Sequence, residues 1–230
     1  MKYMDEKHSD AAGRAVSAVI FDMDGIIFDT ERLYVECWID AGKEYDLADI
    51  EQVSCQMIGV NDILTRKIFN DQYQGTRDYD VCRKRVSVLF HSRYDGKIPL
   101  KRGVREILAF LKEQDIPVAL ASSTRIETVM RELTDAGLDR AFSRVIGGDM
   151  IRKSKPEPDI FLAAAESIGA VPEKCWVLED SYNGIRAAAA AGMHPIMVPD
   201  ILEPTEDMRR LAEVICPSLF EAMEYLQGLL

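Results

Sequence analysis

From residue 15 onward, short apolar runs alternate with segments of helical periodicity, and this alternation is the strongest constraint on the fold. Each apolar run has the length of a strand, and helical patterns separate the later runs. The apolar runs are residues 15–21, 117–121, 144–147, 175–178 and 194–198, and the helical patterns are residues 103–114, 125–136, 158–168 and 182–191. Strands that alternate with helices of this length form a parallel sheet with helices on both faces. The sequence therefore predicts an α/β fold.

Residues 33–100 interrupt the alternation, because they show helical periodicity without a strand-like run. We predict that they form a helical insert, joined to the rest of the chain near residues 28–33 and 95–101. The predicted parts are an N-terminal arm at residues 1–14, an α/β core at residues 15–32 and 101–230, and an α-helical cap domain at residues 33–100. Residues 1–13 are polar and precede any periodic apolar pattern, which predicts a disordered arm.

The acidic composition argues against two classes of partner. The 230 residues carry a formal net charge of -11, whereas nucleic acids and anionic membranes bind basic surfaces.

The five cysteines are odd in number and lack metal-ligand spacing, which argues against a disulfide framework and a zinc site. No segment approaches the ~20 apolar residues of a membrane span, and the N-terminus lacks a signal peptide. We therefore expect a monomeric cytoplasmic protein with free thiols.

Acidic residues follow two of the predicted strands. Asp22 and Asp24 come after the first strand, and Glu179 and Asp180 come after the fourth. Ligands of such sheets bind at the carboxyl ends of the strands, and four carboxylates in one crevice are costly without a compensating cation. Oxygen ligands of this kind suit Mg²⁺. The sequence therefore predicts a magnesium site at this edge of the sheet, and a phosphate group would complete the ligands.

A lysine and hydroxyl groups complete the predicted site. Lys155 lies in the segment KSKPEPD, whose prolines restrict the backbone and fix the direction of the lysine. Lys153 is the alternative lysine, but the KPEP context favours Lys155. Ser122 ends the second strand with a hydroxyl donor, and Ser123 follows it. A carboxylate nucleophile, a cation, a lysine and a hydroxyl are what phosphoryl transfer requires, and they predict a small phosphorylated metabolite as the partner.

Four segments carry a family resemblance. FDMDGIIFDTE, ASST, KSKPEPD and VLEDSYNGI resemble, in this order, the four motifs of the haloacid dehalogenase superfamily. The match covers residues 15–230 apart from the insert. The resemblance implies a Rossmann-like core and identifies the insert as similar to the small α-helical cap of that superfamily.

The resemblance also implies roles for individual residues. Asp22 matches the nucleophile that becomes an aspartyl phosphate, and Asp24 matches the general acid/base, whose backbone carbonyl also binds the metal. Ser122 matches the phosphate-binding hydroxyl, and we expect the neighbouring Ser123 to contact the substrate as well. Lys155 matches the lysine that holds the phosphate and the nucleophile. Each residue also has a structural interpretation, as a turn former, a helix cap or a loop hydroxyl.

Two further acids match the metal site of the superfamily. Asp180 matches a metal ligand, and Glu179 matches a neighbouring acid that helps to hold the metal, directly or through water. A purely structural role for Glu179 remains the alternative. The implied cofactor is Mg²⁺, bound by Asp22, Asp24, Glu179 and Asp180.

Asp24 narrows the choice of reaction. An acid two residues after the nucleophile can protonate a departing alcohol oxygen and then activate water. The dehalogenases of the superfamily lack an acid at that position, and the phosphonate-cleaving members usually carry a small residue there. Among the members of the superfamily, phosphatases and phosphomutases are the two classes that are compatible with Asp24.

Three positions favour a phosphatase over a phosphomutase. Members similar to β-phosphoglucomutase usually carry a His where this chain has Tyr34, and an Arg soon after a cap glycine, whereas Gly59 is followed by no Arg before Arg66. Glu31, directly after an Asp-Thr pair, is more typical of the phosphatases. We predict a Mg²⁺-dependent phosphatase acting on a small phosphate monoester, such as a sugar phosphate, through an aspartyl phosphate. A phosphomutase is the first alternative, and a non-catalytic phosphosugar-binding module is the second.

The insert differs in charge from the rest of the chain. Between residues 62 and 97 there are eight Lys or Arg and five Asp or Glu. Five of these basic residues are candidates for contact with an anionic leaving group, namely Arg66, Lys67, Arg83, Lys84 and Arg85. A solvated helix face is the alternative interpretation.

Overall fold

The computed structural model describes residues 16–60, 62–74 and 76–230, so the predicted N-terminal arm lies outside the described residues. A six-stranded parallel sheet forms the centre, in the order β3-β2-β1-β4-β5-β6. The strands are β1 (Ala18–Phe21), β2 (Val118–Ala121), β3 (Arg144–Ile146), β4 (Cys175–Glu179), β5 (His194–Met197) and β6 (Val214–Ile215). The predicted α/β class and the five predicted strands are confirmed.

Helices surround the sheet and fill the insert. In chain order they are α1 (Thr30–Tyr45), α2 (Ile50–Gln56), α3 (Asp62–Tyr73), α4 (Tyr79–Tyr94), α5 (Val104–Glu113), α6 (Ile126–Asp135), α7 (Asp159–Ser167), α8 (Tyr182–Ala190), α9 (Glu206–Leu211) and α10 (Leu219–Gln227). The four predicted core helices are α5 to α8. Strand β6 and helices α9 and α10 were not predicted.

Residues of the central strands alternate between two apolar clusters on opposite faces of the sheet. In β1, Val19 and Phe21 pack into the cluster that includes α5 and α10, whereas Ala18 and Ile20 pack into the cluster beneath α7. All four residues are fully buried. Because both faces are covered by helices, the strand is apolar at every position, and this explains why the run lacks the alternation of a half-exposed strand.

Helices α1–α4 pack around an apolar cluster of their own, which includes Trp38, Phe69 and Phe90. This helical insert leaves the sheet after β1 and returns before α5, and the backbone N–H of Asp29 donates to the carbonyl of Pro99 across the two connections at 3.0 Å. The first insert helix begins at Thr30, three residues before the predicted boundary. The division into a core and a cap domain stays a prediction.

Within the described residues, every helix is too short or too polar to cross a bilayer.

Candidate active site

Two neighbouring strands end in acidic residues at one edge of the sheet. Asp22 follows β1 directly, Glu179 is the last residue of β4 and Asp180 comes next. Because Phe21 pairs with Leu178, Asp22 lies level with Glu179. All three acids are buried, and one oxygen of each lies within 4.8 Å of the others. The structure thus brings together a three-acid cluster, formed by Asp22, Glu179 and Asp180.

Lys155 places a positive charge against this cluster. Its Nζ lies 2.5 Å from Oδ1 of Asp22 and 2.7 Å from Oε1 of Glu179, and its side chain is 7% exposed. Burial by itself would lower the pKa of Lys155, but the two carboxylates outweigh this effect and raise it. Lys153, in contrast, is exposed and pairs with Glu157 at 3.6 Å. Of the two candidate lysines, the fold therefore brings Lys155 into the site.

The side chain of Asp24 lies apart from the three-acid cluster and contacts hydroxyl groups. Thr30 donates a hydrogen bond to its Oδ1 at 2.6 Å, and Thr124 donates to its Oδ2 at 3.1 Å. The hydroxyl of Ser122 donates to the same Oδ2 at 3.5 Å. These contacts hold the Asp24 carboxylate between the ends of β1 and β2, so it is not one of the clustered carboxylates that could hold a metal.

The hydroxyl residues after β2 differ in exposure. Ser122 is fully buried, its Oγ accepts a hydrogen bond from the backbone N–H of Thr124 at 3.0 Å, and it is absent from the described residues that line the cavity beside the site. Ser123 and Thr124 do line that cavity. The structure thus places Ser123, rather than the Ser122 side chain, on the wall that a ligand meets.

A cavity of about 670 Å³ extends from the three-acid cluster to the helical insert. This volume is in the range of small-molecule sites. The insert contributes aromatic and polar side chains to its wall, among them Tyr34, Trp38, Arg83, Ser87 and His91. Helix α6 of the core contributes Thr128 and Glu132.

Arg83 is the one residue of the five basic candidates that lines the cavity. Lys84 is exposed. The other three form surface ion pairs, which are Arg66 with Asp80, Lys67 with Asp71 and Arg85 with Glu44. For four of the five candidates, the interpretation as a solvated helix face is therefore the correct one.

The electrostatics of the site favour an added cation. Burial raises the pKa of Asp22 to about 7, against the opposing charge of Lys155. Burial, and next the charge of Glu179, raise the pKa of Asp180 well above its ordinary value. Burial and neighbouring carboxylates likewise raise the pKa of Glu31 to about 8. Since the clustered donors are all carboxylate oxygens, the site fits a hard divalent ion such as Mg²⁺.

Two acids that face the cavity were missed as site residues. These acids are Glu31, which in the sequence is a signature of the phosphatases, and Glu132. A signal for Glu132 was present, since it lies three residues after Val129 and one before Leu133, on the buried face of α6. A charged residue on the apolar face of an amphipathic helix is unusual, and it indicates a residue with a role other than packing.

Because Gly184 has no side chain, the carboxylate of Glu179 can occupy the space next to its Cα atom. A Cβ at Gly184 would lie 1.6 Å from Oε1 of Glu179. Alanine normally stabilises the interior of a helix relative to glycine. Here we expect Gly184→Ala to destabilise the protein by about 1–3 kcal/mol, because Glu179 must move away from Lys155. Chemical denaturation measures the free energy of unfolding.

The control is Arg186→Ala, an exposed position of the same helix, which we expect to change stability by less than about 0.5 kcal/mol. A Gly184→Ala variant as stable as the parent protein would show that Glu179 is not held in this space.

Comparison with known proteins identifies the family of this chain. The family model of haloacid dehalogenase-like hydrolases matches residues 19–198. The chain is 31% identical to the "Phosphorylated carbohydrates phosphatase" of Thermotoga maritima, covering 93% of this chain and 98% of that protein. It is also 31% identical to "Hexitol phosphatase B" of Escherichia coli K12, covering 90% and 95%.

Solved structures show the same fold. A candidate β-phosphoglucomutase from Thermotoga maritima aligns with a TM-score of 0.76 and 30% identity, over 93% of this chain and all of that one (100%). A hydrolase of the same family from Deinococcus radiodurans, solved with bound phosphate and sodium, aligns with a TM-score of 0.75 and 26% identity, over 94% and 98%. On the family match and the relatives together, this chain belongs to the haloacid dehalogenase-like hydrolase family.

Proposed function

We propose that this chain is a phosphatase that hydrolyses a small sugar phosphate or polyol phosphate, with Asp22 as the nucleophile. The observation that carries the proposal is the buried Asp22 carboxylate, which Lys155 holds at 2.5 Å at the end of a cavity of small-molecule size. The names of the two relatives, a phosphatase of phosphorylated carbohydrates and a hexitol phosphatase, support this substrate class.

The first step is attack on phosphorus by the Asp22 carboxylate. The new bond joins an Asp22 oxygen to phosphorus, and the bond from phosphorus to the leaving oxygen breaks, which gives an aspartyl phosphate and an alcohol. In this proposal Lys155 offsets negative charge on the phosphoryl oxygens, and Ser123, which lines the cavity, donates a hydrogen bond to them. Ser122 acts from behind this wall, through its hydrogen bonds to Asp24 and Thr124.

Asp24 serves as the general acid and then as the general base. It donates a proton to the leaving oxygen in the first step, and it takes a proton from the water that cleaves the aspartyl phosphate in the second. The two threonines that donate to its carboxylate, Thr30 and Thr124, fix its orientation. The enzyme thus returns to its starting state after each cycle.

Mg²⁺ is the proposed cofactor. The three-acid cluster would hold it, and the family resemblance adds the backbone carbonyl of Asp24 as a further ligand. When bound, the ion supplies positive charge that reduces the repulsion between the anionic substrate and the carboxylate nucleophile.

Metal removal tests the proposed cofactor. We expect EDTA to abolish hydrolysis of p-nitrophenyl phosphate and added Mg²⁺ to restore it. Asp180→Asn removes the charge of one ligand, and we expect the Mg²⁺ concentration for half-maximal activity to rise about tenfold or more. Asp71→Asn, at an exposed surface ion pair, is the control and should leave the Mg²⁺ requirement unchanged. Full activity after complete chelation would contradict the assignment.

A phosphomutase is the second candidate, because the chain is 30% identical to the candidate β-phosphoglucomutase of known structure. Tyr34, at the position where such members usually carry a His, stacks on Phe90 with the ring centroids 4.1 Å apart, which favours the phosphatase. An assay for interconversion of hexose phosphates, primed with a hexose bisphosphate, separates the two. A folded protein that binds phosphosugars without turnover would instead identify a binding module.

A further inference from the structure

Glu132 is a buried carboxyl group on the wall of the cavity. Its side chain comes from α6, and the residue is 8% exposed. Within residues 16–60, 62–74 and 76–230, no hydrogen bond or ion pair engages its carboxylate. Burial, followed by the charge of Asp24, raises its pKa to about 7. The carboxylate oxygens keep contact with the cavity and have no protein partner among the described residues, so this position can accept a hydrogen bond from a ligand.

Arg83 faces the same cavity from the helical insert. Its guanidinium lies 5.5 Å from the ring centre of Tyr34, and both residues line the wall. Across the part of the chain that the structure describes, no carboxylate forms an ion pair with Arg83, in contrast to Arg66 and Arg85. The Tyr34 side chain engages one donor of Arg83, and because a guanidinium carries five N–H donors, others are available to a ligand.

We propose that Glu132 and Arg83 form a leaving-group subsite that selects a hydroxylated, uncharged end of the substrate and rejects a second phosphate. A hydroxyl group both donates and accepts, so a chain of hydroxyls can donate to Glu132 and accept from Arg83. This inference rests on the proposed phosphatase function and specifies its substrate class. That class is a polyol or sugar with a single phosphate.

Charge is the reason for rejecting a bisphosphate. A second phosphate near Glu132 would bring about two negative charges at neutral pH next to that carboxylate, while Arg83 and Arg125 also line the cavity. Like charges that face each other in a partly buried site oppose binding strongly. The same argument disfavours the hexose bisphosphate that a phosphomutase of the β-phosphoglucomutase type must hold.

Steady-state kinetics with two substrates tests the subsite. Sorbitol 6-phosphate has an uncharged hydroxylated end, and fructose 1,6-bisphosphate has a charged end. At pH 8, above the pKa of Glu132, we expect kcat/KM of the parent protein to favour sorbitol 6-phosphate by about tenfold or more. Glu132→Gln keeps the shape and removes the charge, and it should shift the ratio toward the bisphosphate by about tenfold.

Arg83→Met gives an independent measurement, because it removes the donors from the other side of the subsite. We expect it to lower kcat/KM for sorbitol 6-phosphate by about tenfold, with partial recovery in Arg83→Lys. The matched control is Glu127→Gln, an exposed acid of the same helix that is absent from the cavity wall, and it should leave the substrate ratio unchanged.

The outcomes separate this proposal from the proposed function. If the parent protein fails to hydrolyse p-nitrophenyl phosphate with Mg²⁺, the phosphatase assignment itself fails. If it hydrolyses that ester but Glu132→Gln and Arg83→Met both leave the substrate ratio unchanged, only the subsite is refuted. A parent protein that prefers the bisphosphate would also overturn the subsite.

Discussion

Replacement of Asp22 by asparagine should reduce phosphatase turnover by about 10⁴-fold or more, because the amide cannot form the covalent intermediate. The two side chains have nearly the same shape, and Lys155 keeps its ion pair with Glu179 at 2.7 Å. We therefore expect the variant to fold. Release of inorganic phosphate from sorbitol 6-phosphate and from p-nitrophenyl phosphate measures the loss.

A direct observation of the intermediate strengthens this test. In the parent protein, rapid acid quenching during turnover should trap a phosphoryl group on the peptide that contains Asp22, detectable by mass spectrometry. The Asp22→Asn variant should show no such adduct. Asp139→Asn, an exposed acid, is the control and should behave like the parent protein. Near-normal turnover in Asp22→Asn would show that another group is the nucleophile.

Replacement of Asp24 by asparagine should slow hydrolysis of an alkyl phosphate such as sorbitol 6-phosphate by about 10²–10⁴-fold. The amide cannot protonate the departing alkoxide. We expect the rate of the first step to fall less for p-nitrophenyl phosphate, because p-nitrophenolate leaves without a proton. The second step also loses its base, so the aspartyl phosphate should accumulate with the aryl substrate.

Thr30→Val is the matched control for Asp24. It removes the hydrogen bond of 2.6 Å to Oδ1 but keeps the acid. We expect a smaller loss of activity, of similar size for both substrates, because only the orientation of Asp24 is disturbed. If Asp24→Asn slows both substrates equally and the phosphoenzyme does not accumulate, Asp24 is not the general acid/base.

Much of the fold was predictable because its physical causes are local. Strands covered on both faces must be apolar at every position, and this produced the runs that marked β1, β2 and β4. The elements that were missed lack such a signal. Strand β6 has only two residues, Val214–Ile215, and it is defined by its pairing with β5. That pairing depends on the sheet and not on the local sequence.

The residues of the candidate site were likewise predictable from the sequence only in part. The sequence alone predicted that Asp22, Glu179 and Asp180 lie at strand ends, and the topology of a parallel sheet then requires these strand ends to share one edge. For this reason the sequence alone predicts that these acids lie close together.

Only the tertiary structure decided which charges meet. Lys155 and Asp22 are 133 positions apart in the chain, and the choice of Lys155 over Lys153 follows from the path of one loop. The approach of Glu132 and Arg83 to one cavity is decided in the same way, by the packing of α6 and α4. Charge pairing depends on distance and burial, and both arise from elements that fold together from remote parts of the sequence.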